Sequence, residues 1–126
     1  MARYMVLLYA GEADPAEHAE REAETPLWLE LNESLRAAGL LVSADRLHPV
    51  DTATTVRMRD GDLQIADGPF AVTKEFLGGY YVLECSDLDE AIKHASRVPL
   101  ARYGSAEIRP IVDLGTDRPG RLASGA

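Results

Sequence analysis

The chain has 126 residues, 46% of them hydrophobic and 27% charged, with a formal net charge of −8. That length sets one domain able to bury its own core without a disulfide or metal staple, and an acidic balance with no basic cluster argues against direct nucleic-acid binding and against anionic membrane surfaces. The lone cysteine, Cys85, lies inside an apolar run and reads as a packing residue of a reducing compartment.

The N-terminal apolar run is too short to cross a membrane and carries no cleavage-site pattern, so it reads as the first strand of a cytoplasmic protein. In Arg3 to Ala10, Tyr4, Val6 and Leu8 alternate with Met5, Leu7 and Tyr9, the pattern of a strand apolar on both faces. Asp14 before Pro15 signals a helix N-cap with proline at the first helical position. Pro26 breaks the helical pattern, with Thr25 as a second cap, and the stretch before it is charged and alanine-rich, with little to give a core. Beyond the break Leu27, Trp28, Leu31, Leu35 and Ala38 share one helical face, and Gly39 ends the helix.

A second strand follows, with Leu41, Ser43, Asp45 and Leu47 on one side and Leu40, Val42, Ala44 and Arg46 on the other. Asp60-Gly61 between alternating runs predicts a hairpin. Asp67-Gly68-Pro69-Phe70 then predicts a turn whose phenylalanine plugs the core, before an apolar strand ending near Cys85. Asp87 and Glu90 form a capping box for a helix whose core face is Leu88, Ala91, Ile92, Ala95 and Val98. His94 falls off that face and is expected to be solvated. Pro99 stops the helix. Pro110 in the last strand cannot donate to a ladder, so that strand belongs at an edge. Residues 1–114 thus form the domain, and 115–126 a polar tail expected to be mobile.

The order β-α-β, hairpin, β-α-β is an α+β, ferredoxin-like plan: an antiparallel sheet with helices on one face. The other face keeps apolar side chains from the first strand and from the strand of Tyr80, Tyr81 and Leu83. An exposed patch of that kind marks an interface, so a face-to-face homodimer is expected.

The stretch DGPFAVTKEFLGGYYVLE, together with RYMVLLYAGE, AAGLLVSADRLHP and DLDEAIKHASRVPLARYGSAEIRPI, resembles the YCII-related, or DGPF, family of small bacterial proteins. The resemblance covers about residues 2 to 114. It implies a dimeric α/β barrel, in which ferredoxin-like subunits pack sheet to sheet and leave a cleft near the interface. It implies no settled activity: an enzymatic role has been suggested from the cleft, and some members are associated with extracytoplasmic-function sigma factors. The family commonly has glutamate where this chain has Val72. Shorter members of the wider superfamily carry a His–Asp pair proposed as the active site, and no histidine here is an evident match: His18 lies in the charged helix start and His48 at a strand end.

Two residues are candidates for catalysis. Asp67 is either a turn residue or a carboxylate lining the cleft, and Lys74 is either an anion-binding or basic amine or half of a surface ion pair with Glu75. Glu75, Tyr80, Glu107 and Arg109 are candidates for ligand binding. Glu107 and Arg109 share the face opposite Ile108, Pro110 and Val112, where Arg109 either clamps a carboxylate or pairs across a dimer. Three scattered histidines and one cysteine have no metal-ligand spacing, Gly78-Gly79 is a lone pair and not a phosphate loop, and no cofactor is implied. Two functions follow: an enzyme on a small polar or anionic metabolite, or a non-catalytic binding module in transcription control.

Overall fold

In the computed structural model, which describes residues 1–115, the elements run β1 (Ala2–Ala10), α1 (Pro15–Glu22), α2 (Thr25–Ala37), β2 (Leu41–Arg46), β3 (Thr54–Arg59), β4 (Asp62–Asp67), β5 (Phe76–Cys85), α3 (Leu88–Ala95) and β6 (Ser105–Pro110). Four strands form one antiparallel sheet in the order β2-β5-β1-β6, and β3 and β4 form a hairpin of their own. Strand β6 is an edge, as Pro110 requires. The expected tail lies outside the described residues apart from Gly115.

The period of two in β1 sorts its side chains. Tyr4, Val6 and Leu8 are buried in the core with Tyr81, Leu83 and Cys85 of β5, against Leu31, Leu35, Ala91 and Ala95 of the helices. Met5, Leu7 and Tyr9 are half-buried on the uncovered face, where their cross-strand partners include Val82 and Tyr80. Leu83, expected to add apolar area to that open face, is 1% exposed and packs under the helices instead. Strand β2 departs from simple alternation because its register against β5 shifts between Leu41 and Ser43. That irregularity turns both Leu41 and Ala44 toward the core. Cys85 is fully buried, and burial pushes its thiol pKa up, so it packs and does not react.

Helix α1 begins with a reciprocal capping box, Glu17 N–H to Asp14 Oδ1 at 2.8 Å and Asp14 N–H to Glu17 Oε1 at 3.1 Å. It buries no residue. The break before Pro26 is present, but Thr25 is not a cap: its hydroxyl donates back to the Glu22 carbonyl at 2.8 Å, and Glu24 is the N-cap without a side-chain bond. Helix α2 buries Leu31 and Leu35 while Leu27 and Ala38 stay exposed, and Gly39 ends it at φ +74°. Asp87 caps α3 by accepting from Glu90 N–H at 2.9 Å, and the Glu90 carboxylate reaches back to the N–H of Ser86 at 2.7 Å.

The buried face of α3 is Ala91, His94 and Ala95, whereas Leu88 and Ile92 are 48% and 47% exposed. His94, expected in solvent, is therefore a core residue. The helix rests on its two alanines, and that contact rolls His94 inward and Ile92 outward. The imidazole is satisfied locally: Arg97 Nη1 lies 3.0 Å from His94 Nδ1, and Arg97 Nη2 donates to Ser34 Oγ at 2.8 Å, tying α3 to α2.

The β3–β4 turn has Asp60 at φ 52° and Gly61 at φ 81°, the double positive φ of a two-residue hairpin turn. Val56, Met58, Leu63 and Ile65 pair across the hairpin on one face and are all about 60% exposed. Gly68 at φ +97° then turns the chain, its N–H donating to the Ala53 carbonyl at 2.7 Å. Phe70 is 78% exposed and plugs no core. The turn carries it away from the sheet, and the segment is held through its backbone, by Arg57 Nη2 to the Phe70 carbonyl at 3.2 Å.

Candidate functional site

A cavity of about 590 Å³ opens between the α1–α2 break and one end of the sheet. Its origin is a local shortage of side-chain volume. On the sheet it is lined by Ala10, Ala44, Gly78 and Gly79, with Leu8 and Tyr81 deeper in. A Cβ on Gly79 would lie 2.8 Å from the Asp45 carbonyl oxygen, so β2 approaches too closely for any side chain there. Above this floor α1 is too polar to send an apolar side chain down, and the space stays open.

The inner wall is aromatic. Trp28 and Tyr81 stack, and the Tyr81 hydroxyl donates to Asn32 Oδ1. Burial pushes the Tyr81 pKa to about 12, so it is a neutral donor. On the α1 side the Arg21 guanidinium lies over the Tyr103 ring, 4.4 Å from its centroid, and donates to the Gly11 carbonyl at 2.9 Å. Tyr103 is raised by its burial and then by the charge of Glu24, whose carboxylate is bonded to Arg102.

The mouth is polar. Tyr80 donates to Asp45 Oδ2 at 2.7 Å, and this bond is the main cause of its raised pKa. Glu22 Oε1 lies 3.0 Å from Arg46 Nη2 and 3.7 Å from His18 Nε2, joining α1 to β2 across the opening. His48 and Asp51, from the loop after β2, complete the rim. An apolar, aromatic interior with a ring of hydrogen-bonding groups is the form of a small-molecule site.

Of the residues singled out from sequence, Tyr80 alone lines this cavity. Asp67, at the end of β4, and Lys74 are exposed, and it is the Lys74 carbonyl that approaches the rim, 3.0 Å from where a Cβ on Gly11 would lie. Glu75 is half-buried and accepts from Ser105 Oγ at 2.9 Å. Glu107 and Arg109 do share the open face of the sheet, opposite Leu7 and Met5 of β1. The structure thus divides the expected site between the DGPF turn, the open face and the cavity. Trp28, Asn32, Arg21, His18 and His48 were missed as site residues, because helix faces do not announce a void. The available signal was the smallness of Ala10, Ala44 and Gly79 at the same end of three strands.

Among the described residues no group of three His, Cys, Asp or Glu side chains is placed to hold a metal ion, and no helix is long and apolar enough to cross a membrane. A family model for the YCII-related domain matches residues 2–115. The chain is also 37% identical to an uncharacterized protein of Rhizobium meliloti (strain 1021) over 126 residues, taking in 96% of this chain and 98% of that protein.

Proposed function

The chain belongs to the YCII-related domain family, and from that premise we propose that it is a small-molecule-binding protein that works as a homodimer. The observation that carries the first half is the cavity. Its volume of about 590 Å³ falls within the roughly 300–1,000 Å³ usual for ligand sites. Its charged groups stand toward the mouth while Leu8, Trp28, Tyr81 and Leu100 form a mainly apolar body, with Asn32 bonded to the Tyr81 hydroxyl.

A screen of small metabolites by thermal shift tests this reading. Ligand at 100 times its Kd adds about 2.7 kcal/mol to stability, several degrees of Tm for a domain of this size. The shift should vanish in Ala44→Phe, which fills the cavity from the sheet side. A library without a stabilising compound, or a shift that survives Ala44→Phe, would sink the proposal.

The dimer is supported by the open face. The strand order β2-β5-β1-β6 with all helices on one side is consistent with a ferredoxin-like subunit. The uncovered side presents Met5, Leu7 and Tyr9 as a half-buried apolar stripe flanked by Glu107 and Arg109. Glu107 and Arg109 carry opposite charges on that face, the kind of pair an isologous interface can use for self-complementarity. Sedimentation at micromolar concentration should give twice the 13.7 kDa chain mass, and Leu7→Glu should give a folded monomer. A wild-type monomer would remove this half of the reading and leave the cavity untouched.

A catalytic role is a second reading, favoured by the imidazoles of His18 and His48 on the rim. Imidazole can both donate and accept a proton. If turnover exists, His18→Gln or His48→Gln should abolish it while keeping the ligand-induced thermal shift. A regulatory module would instead retain every function in both variants.

A further inference from the structure

We propose that the cavity selects small carboxylates with an apolar body, and that Arg21 is the group that holds the carboxylate. The inference rests on the cavity being a binding site. Two arginines line it, and they differ in one respect. Arg46 is already neutralised, with Nη2 3.0 Å from Glu22 Oε1. Arg21 has no carboxylate partner among the described residues, in a chain whose formal charge is −8.

Arg21 is nevertheless fixed. One N–H is bonded to the Gly11 carbonyl at 2.9 Å, and the guanidinium plane is held over Tyr103. A guanidinium has five N–H donors in a rigid fork, so this anchoring leaves most of the fork unsatisfied and half-buried beside the cavity. A positioned cation without a counter-ion binds an anion at little ordering cost, and a bidentate pair with carboxylate is its preferred geometry. The acids do not fill the role: Glu24 is bonded through one oxygen to Arg102 and buries the other without a hydrogen bond, outside the cavity lining and without an ion pair to Arg21, and Asp45 accepts from Tyr80. Glu12 and Asp51 also line the cavity, and they disfavour ligands carrying several negative charges. A single carboxylate at Arg21 places the rest of the ligand toward Trp28, Tyr81 and Leu100, a mainly apolar and aromatic wall whose Asn32 is already committed to the Tyr81 hydroxyl.

The chain has one tryptophan, so the Trp28 indole N–H gives one side-chain resonance in a nitrogen-15-labelled sample of the full protein. The probes are phenylacetate, 3-phenylpropionate and hexanoate, each titrated beside its primary amide. The carboxylates should move the Trp28 resonance with Kd at least tenfold below the amides, about 1.4 kcal/mol. Arg21→Gln should erase that preference while leaving amide binding unchanged. Arg21→Lys, which keeps charge but not the fork, should retain part of it. If acids and amides bind alike and Arg21→Gln alters neither, the anion site is refuted and the cavity reading stands. If no probe moves the Trp28 resonance, the carboxylate proposal is refuted, and the cavity reading is decided by the metabolite screen alone.

Discussion

Trp28 and Tyr81 stack with ring centroids 6.4 Å apart and planes inclined by 27°, so one pair of side chains is both the inner wall of the cavity and part of the core packing. Tyr81 is 3% exposed and its hydroxyl is committed to Asn32. Neighbouring Tyr80 points the other way and bonds the exposed Asp45 at 2.7 Å.

The two tyrosines therefore respond differently to loss of the hydroxyl. Tyr81→Phe strands the half-buried Asn32 acceptor and should cost about 1–3 kcal/mol in urea unfolding. Tyr80→Phe should cost less than about 1 kcal/mol, since water replaces the lost partner. Equal costs would contradict the assignment of the two faces.

Gly79 is predicted to tolerate no side chain, because its Cβ would meet the Asp45 carbonyl at 2.8 Å, whereas a Cβ on Gly78 would find its nearest neighbour at 3.9 Å. Gly79→Ala should destabilise by about 1–3 kcal/mol through displacement of β2, and Gly78→Ala by clearly less. Thermal melts of the two variants with overlapping curves would count against the close approach of β2 to β5.

His94 should make stability fall on acidification. Burial lowers its pKa below the ordinary 6.5, and Arg97 and Lys93 lower it further while Glu90 opposes them. The folded state thus binds its proton more weakly than the unfolded state. Its contribution is fully present above pH 6.5 and is lost as pH falls through that value toward the lower folded pKa. His94→Gln keeps an acceptor for Arg97 and should flatten this part of the pH–stability curve. A wild-type minus variant difference that does not change between pH 7.5 and 5 would contradict the buried placement.

Asp67 and Lys74 are exposed and outside the cavity. Asp67→Asn and Lys74→Met should each change stability by no more than about 0.5 kcal/mol and leave the affinity of a cavity ligand unchanged. A tenfold loss of affinity in either variant would instead make the DGPF turn part of the site, through a cleft assembled from two copies.

What the sequence by itself determined is whatever depends on near neighbours in the chain. Asp14 and Glu17 cap α1 reciprocally because a capping box needs only three residues of helix. Asp60-Gly61 makes the hairpin because the turn type is a property of two φ angles. Period-two alternation sorted β1 into Tyr4, Val6 and Leu8 against Met5, Leu7 and Tyr9, and Pro110 marked an edge strand. Together with the DGPF resemblance, these fixed the α+β order of elements.

Only the tertiary structure decided how far elements stand apart and which way each is rolled. His94 went inside because two alanines let α3 settle close to the sheet, a contact with β5 and β6 and not a feature of the helix pattern. Phe70 lies outside because the turn carries it away from the sheet, and nothing in the turn's own residues announces that. The cavity belongs to the same class. It is the space left where Ala10, Ala44 and Gly79, remote in sequence, meet at one end of the sheet beneath a break between two helices. A void has no residue of its own, so it takes shape only when the elements around it are packed.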